Sequence, residues 1–119
     1  MRAFWLLVFA GAALLAAAGG QQASSVTSIV TREAFESLLS GSNATGCKGG
    51  GFYTYDAFVK AASKFPGFGA VGDEDTHRRE LAAFFGQTSY VTAGYCYVEA
   101  VNPVINAPYY GRGPIQLAT

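Results

Sequence analysis

Residues 51–69, GFYTYDAFVKAASKFPGFG, predict a short amphipathic helix with a defined beginning and end. Thr54 can cap its N-terminus, because a threonine hydroxyl accepts a hydrogen bond from an otherwise unpaired amide of the first turn. Apolar residues then recur at the i, i+3, i+4 and i+7 positions of one helix face; they are Tyr55, Phe58, Val59 and Ala62. The FPGFG sequence at 65–69 ends the helix, because proline and glycine together break helices.

The same signals predict one helix on each side of this stretch. Thr31 can cap a first helix, and Asp73 can cap a third helix that runs to about Ser89. Glycine-rich loops separate the three helices, and we find no apolar–polar alternation strong enough to indicate a sheet. The inward-facing residues predicted in the two outer helices are Phe35, Leu38, Leu39, Leu81, Phe84 and Phe85. The fold class is therefore mainly α-helical, with long loops.

The N-terminus is typical of a secretory signal peptide. Arg2 is followed by an uncharged, mostly apolar run at 3–18 that ends in small residues. A transmembrane anchor is the alternative, but a helix needs about 20 apolar residues to cross a membrane, and this run is shorter. We therefore expect residues 1–20 to be removed as a signal peptide and residues 24–119 to form one secreted, extracellular domain.

The balanced charge and the single histidine argue against several classes of partner and cofactor. Eight basic and eight acidic side chains balance, so no strong field attracts nucleic acid or an anionic membrane surface. His77 is the single histidine, and it has no cysteine or second histidine near it in the sequence. The mixed charges around it, at 73–80, are typical of a solvated helix face. We expect no metal and no cofactor.

Secretion determines the interpretation of two further features. Cys47 and Cys96 are the only cysteines, and an oxidising compartment favours their joining in a disulfide. Two unpaired buried thiols are the alternative, which would suit the cytosol better. Asn43-Ala44-Thr45 is an N-glycosylation sequon in a polar stretch. Such tripeptides also occur by chance, so an occupied and an unoccupied Asn43 both remain open.

Four segments, in this order, resemble the plant chitinases of glycoside hydrolase family 19. They are residues 51–69, RRELAAFFGQTS at 78–89, GYCYVEAVN at 94–102 and YYGRGPIQL at 109–117. The resemblance implies the first half of a lysozyme-like, α-helical chitinase domain. Members of the family hydrolyse the β-1,4-N-acetylglucosamine linkages of chitin with inversion, in cell-wall polysaccharide breakdown and plant defence. The resemblance also implies a Cys47–Cys96 bond, because the family bridges cysteines at both places.

The resemblance also shows which catalytic groups are replaced. An inverting glycosidase needs an acid and a base, with their carboxyl groups about 6.5–9.5 Å apart. The family's acid is the glutamate of a His-Glu-Thr triplet, and Val91 stands at that position. The family's base position is Ala100, and the position of a serine that helps to hold the water is Ala118. Glu99 adjoins the base position, but neighbouring side chains point in different directions, so we expect it to be solvated or structural.

These replacements predict a chitinase-like protein without catalytic activity. An active endochitinase, as family membership alone suggests, and a fragment without function are the alternatives. Gln116 matches a substrate-contacting glutamine of the family, and Tyr109 and Tyr110 lie close to it in sequence. We expect at most weak binding of chitin or N-acetylglucosamine oligomers through these three side chains. The family's loop is longer between Asn102 and Tyr109, so one wall of the cleft is expected to be reduced.

Overall fold

The computed structural model describes residues 20–102 and 108–117, with the backbone alone at 20–24. Four α-helices and one 3-10 helix lie in this part of the chain. They are α1 (Gly20–Ile29), α2 (Arg32–Leu38), the 3-10 helix (Ser40–Asn43), α3 (Tyr55–Ala62) and α4 (Glu74–Val91). Across the described residues no strand forms, and the β pairing is an isolated antiparallel bridge between Glu99 and Arg112. The prediction of a mainly α-helical fold with long loops is confirmed.

Three helices begin where their capping residues predict. The side chains of Thr31, Thr54 and Asp73 each accept a hydrogen bond from the amide three residues later, at 3.2, 3.2 and 2.8 Å. Each such bond satisfies one of the amides that a helix N-terminus leaves unpaired. The third predicted helix, α4, runs two residues beyond the expected end at Ser89, to Val91.

Helix α1 was not predicted; it begins at Gly20, the last residue of the predicted signal peptide. It packs against α3, and the predicted domain boundary at residue 24 falls inside it. The predicted signal peptide lies outside the described residues except for Gly20, and Ala118 also lies outside them. Within 20–102 and 108–117, no helix is long and apolar enough to cross a membrane.

The core is one cluster of apolar side chains from α1, α2, α4 and the segments that follow them. Its buried members are Val26, Val30, Phe35, Leu39, Leu81, Phe85 and Tyr95. Helix α3 covers this cluster incompletely, since none of its residues is fully buried. Its Phe58 ring nevertheless stacks on Phe35, with centroids 5.5 Å apart.

One residue predicted to face the core does not. The side chain of Leu38 is 49% exposed, whereas Phe35 and Leu39 are 5% exposed. Successive side chains on a helix are turned by about 100°, so Leu38 points well away from Leu39. A helix as short as α2, which spans seven residues, presents only a narrow face to the core.

The disulfide joins the loop after the 3-10 helix to the segment after α4. Cys47 and Cys96 are bonded, with their Cα atoms 4.5 Å apart. The amides of Lys48 and Gly49 both donate to the carbonyl oxygen of Cys96, at 3.0 and 2.9 Å. The predicted bridge is confirmed, and these hydrogen bonds fix the two segments side by side.

Candidate functional site

Val91, which the sequence resemblance assigned to the position of the family's acid, is the last residue of α4 and is half-buried. The helix ends in a Schellman arrangement. The amide of Gly94 donates to the carbonyl of Ser89 at 2.8 Å, and the amide of Ala93 donates to that of Tyr90 at 3.3 Å. The helix end therefore holds Val91 in a defined place, and its isopropyl group carries no proton to transfer.

Buried hydroxyl groups fix the segment that follows the helix. Thr92 is fully buried, and its hydroxyl donates to the carbonyl of Thr88 at 2.6 Å and accepts from the amide of Tyr95 at 2.9 Å. The phenol of Tyr95 donates to the carbonyl of Phe85 at 3.2 Å and lies 2.7 Å from the Thr88 hydroxyl. Burial raises the pKa of the Tyr95 phenol above 10.0, while the hydrogen bond with Thr88 opposes this rise. The phenol therefore stays protonated at neutral pH and has a structural role.

Ala100, which the sequence resemblance assigned to the position of the family's base, lines a notch of about 180 Å³ beside the disulfide loop. Its other lining residues are Gly46, Lys48, Tyr97, Val98, Glu99 and Val101. Glu99 is the one carboxylate among them, and its Oε1 lies 3.8 Å from Nζ of Lys48. Its side chain is 43% exposed, as expected for a solvated carboxylate. An exposed ion pair of this kind contributes little to stability.

The YYGRGPIQL segment is brought to this notch by backbone pairing. Two hydrogen bonds of 2.8 Å flank the bridge between Glu99 and Arg112. They run from the Ala100 amide to the Gly111 carbonyl and from the Gly113 amide to the Val98 carbonyl. A pairing between such distant segments leaves no local pattern of apolar residues, so the sequence alone does not predict it.

The three predicted binding residues differ in their exposure and in the contacts that they already make. Gln116 donates from Nε2 to the carbonyl of Gly113 at 2.8 Å, in a left-handed conformation with φ of 55°. Tyr110 is half-buried beneath the guanidinium of Arg112, whose Cζ lies 3.8 Å from the ring centroid. Tyr109 is 67% exposed. Tyr109 therefore has the most open ring, while Gln116 and Tyr110 are already engaged within their own turn.

His77 is half-buried, whereas the charged residues around it are exposed, as a solvated helix face requires. Its Nε2 is buried and has no hydrogen-bond partner. The reason is its spacing, because residues four apart share a helix face and His77 precedes the buried Leu81 by four. Among the described residues, no group of three histidine, cysteine, aspartate or glutamate side chains is placed to hold a metal ion.

Comparison with known proteins shows what the chain resembles. Residues 29–119 match glycoside hydrolase family 19, chitinase class I. Chitinase 11 of Oryza sativa subsp. japonica is 55% identical, over 94% of this chain and 49% of the relative. Inactive chitinase-like protein 1 of Hevea brasiliensis is 46% identical, over 76% of this chain and 37% of the relative.

The fold comparison agrees with these sequence matches. The crystal structure of a family GH19, class IV chitinase from Zea mays superposes with a TM-score of 0.69 at 33% identity, over 79% of this chain and 53% of that chain. Chitinase C from Streptomyces griseus gives a TM-score of 0.65 at 32% identity, over 76% of this chain and 47% of that chain. This chain thus spans about half the length of the relatives that it matches.

Proposed function

Because the chain belongs to glycoside hydrolase family 19, the chitinase class I family, we propose that it is a secreted chitinase-like protein without hydrolytic activity. The observation that carries this proposal is the half-buried Val91 at the end of α4, where the family places its acid. Protonation of the leaving oxygen requires a group that releases a proton. A valine side chain has none.

The notch at Ala100 supports the same conclusion for the second half of the reaction. A base must take a proton from the attacking water, and the methyl group of Ala100 cannot accept one. Glu99 lines the same notch and pairs with Lys48. Even if Glu99 activated a water, a single carboxylate would not supply both proton transfers. General acid and base groups each contribute typically about 10²–10⁴-fold to a rate, so the loss of both removes most of the catalysis.

Two comparisons add support. The relative from Hevea brasiliensis is named an inactive chitinase-like protein, so a loss of activity has a precedent among similar chains. The alignment with Chitinase 11 runs over 128 positions, whereas this chain has 119 residues. The relative therefore carries residues within the aligned region that this chain lacks. That difference agrees with a reduced cleft wall, which would weaken the hold on a polymer.

Secretion is proposed from the N-terminal sequence and is consistent with the disulfide. A positive residue followed by an apolar run is the pattern that secretory signal peptides share. A disulfide between Cys47 and Cys96 persists in oxidising compartments and is rare in the cytosol. In the apoplast the protein would meet chitin fragments during defence and hold them weakly, through Tyr109 and the neighbouring turn.

The test is a hydrolysis assay on the secreted protein with a soluble chitin oligomer and product chromatography. We expect no release of shorter oligomers above a blank, whereas an active family 19 chitinase run beside it should digest the substrate. Enzyme-dependent product from the unaltered chain would refute the proposal. The double variant Val91→Glu/Ala100→Glu restores both carboxyl groups, and we expect little rescue because of the reduced cleft.

A further inference from the structure

The chain contains one N-glycosylation sequon, Asn43-Ala44-Thr45, and none of the functions above uses it. The three residues follow one another at the end of the 3-10 helix, and all three are exposed. The preceding Ser42 is buried, and its hydroxyl donates to the carbonyl of Leu39 at 2.7 Å. The chain therefore changes from buried to exposed between Ser42 and Asn43.

The space around the sequon is open on the side of Gly46 and closed on the side of Gly50, where a Cβ would lie 2.7 Å from Oδ1 of Asn43. Ala44 has an extended conformation, with φ of −63° and ψ of 153°, so the chain leads away from the helix. A Cβ built on Gly46, just after the sequon, would meet no atom within 4 Å. A bulky group on Asn43 can therefore extend towards the open side at Gly46, away from Gly50.

Asn43 also stands at the edge of a groove of about 440 Å³ between α2, the 3-10 helix and the start of α3. The groove is lined by charged and aromatic side chains as well as by Asn43, among them Arg32, Glu36, Tyr53, Tyr55 and Asp56. An ion pair of 2.7 Å between Arg32 and Asp56 lies in it. Charged groups that bond to hydroxyls, together with tyrosine rings, are surfaces on which a hydrated sugar can rest.

We propose that Asn43 carries an N-linked oligosaccharide and that its first sugars lie over this groove. The proposal rests on secretion, because the transfer takes place on the luminal side of the secretory pathway. Nδ2 of Asn43 loses a proton and bonds to the anomeric carbon of a lipid-pyrophosphate-linked oligosaccharide, and the lipid pyrophosphate leaves. The attached sugar closes the groove to other ligands and leaves the turn around Tyr109 accessible.

The first experiment compares two forms of residues 1–119 produced in animal cells, one with the native N-terminus and one with residues 1–20 replaced by the leader of a protein that these cells secrete. A peptide N-glycosidase should lower the mass of the secreted protein and convert Asn43 to aspartate. Thr45→Ser keeps the sequon and should keep the mass loss. Asn43→Gln and Thr45→Ala destroy the sequon and should abolish it.

This experiment distinguishes a failure of the proposed glycosylation from a failure of the proposed secretion. A leader-swapped protein that is secreted without sugar overturns glycosylation of Asn43, and so does a glycosidase-sensitive mass that persists in Asn43→Gln. If the native form stays inside the cell without sugar while the leader-swapped form carries one, glycosylation of Asn43 stands and the proposed secretion fails.

A second measurement tests where the sugar lies. Glu36 lines the groove and pairs with an arginine four residues before it, while Glu74 lies outside the groove and pairs with an arginine four residues after it. Carbodiimide labelling of Glu36 and Asp56 should be reduced in the glycosylated protein relative to the sugar-free Thr45→Ala variant, which keeps Asn43, and labelling of Glu74 should be the same in both forms. Equal labelling of Glu36 in both forms would overturn the placement over the groove.

Discussion

A Cβ atom on Gly49 would lie 1.7 Å from the carbonyl oxygen of Tyr95. No carbon and oxygen atoms that are not bonded approach so closely, so the two backbones are in contact here only because residue 49 lacks a side chain. The amide of Gly49 donates to the carbonyl of Cys96 at 2.9 Å. This contact lies next to the disulfide and holds the loop after the 3-10 helix against the segment after α4.

The first prediction is that Gly49→Ala destabilises the protein by about 2 kcal/mol or more. Overpacking a well-packed site costs typically about 1–3 kcal/mol, and here the obstacle is backbone that cannot rotate away. Urea unfolding of the oxidised protein measures the change.

Gly86→Ala is the matched control for this prediction. A Cβ on Gly86 would meet nothing within 4 Å, and the residue lies inside α4. Alanine is preferred to glycine within a helix by about 0.5–1 kcal/mol, so this variant should be more stable than the unaltered protein. Equal stability of the two variants would contradict the close contact at Tyr95.

The second prediction concerns Ala93, which occupies the left-handed position after α4 with φ of 51°. Glycine is the usual residue there, because a side chain in this conformation costs about 1–2 kcal/mol. We expect Ala93→Gly to stabilise the protein by about 1 kcal/mol in urea unfolding. Ala83→Gly, at an exposed position within α4, should have the opposite effect. Destabilisation by both substitutions would show that residue 93 is not held in the left-handed conformation.

The third prediction concerns the disulfide, which links cysteines 49 positions apart. The chain-entropy model assigns about 4 kcal/mol to closing a loop of this length. Reduction should therefore lower the free energy of unfolding by about that amount, a large share of the typical total of about 5–15 kcal/mol. Thiol labelling of unreduced, denatured protein should find no free cysteine. Labelling of both cysteines would refute the bond.

The fourth prediction concerns local stability, measured by amide hydrogen exchange on the oxidised protein. Amides within α4, such as that of Phe85, should exchange slowly because they lie in the core helix. Amides near Ile115 and Leu117, whose side chains are 53% and 77% exposed, should exchange quickly. The amide of Gly113 should exchange more slowly than those of Ile115 and Leu117, because it donates to the carbonyl of Val98 at 2.8 Å. Fast exchange of Gly113 would contradict the pairing beside the bridge.

The fifth prediction concerns the loss of stability at low pH. Hydrogen bonds from Thr76, from its hydroxyl first and its amide second, lower the pKa of Asp73 below 3.8. The ionised cap is therefore stabilising above pH 3.8 and is lost as the pH falls through the folded-state pKa. Asparagine caps a helix about equally well but does not titrate. We expect Asp73→Asn to lose less stability on acidification, as followed by circular dichroism. Equal losses in both proteins would contradict an ionised cap.

The helix starts were predictable from the sequence because each depends on a neighbour three residues away. Thr31, Thr54 and Asp73 required only a capping side chain and an amide within the same turn. The partial burial of His77 was also predictable, since its spacing of four from the buried Leu81 places both residues on one helix face. His77 is half-buried for this reason, while its charged neighbours are exposed.

Other features depend on contacts that no local pattern contains. The bridge between Glu99 and Arg112 joins segments whose sequences show only loop residues. The left-handed conformation of Ala93 was also missed, because alanine gives no signal of the kind that glycine gives at a helix end. The candidate site was located through the family resemblance, and the structure adds Lys48, which pairs with Glu99 in the notch.

The bridge between Glu99 and Arg112 also bears on how the chain tolerates insertions. The backbone bonds beside it fasten the protein immediately before and after the segment between Asn102 and Pro108. Doubling the length of a flexible loop costs only about 0.6 kcal/mol. We expect these bonds to keep the helical frame undisturbed when residues are inserted between them, so a protein engineer can use this place to display a foreign peptide.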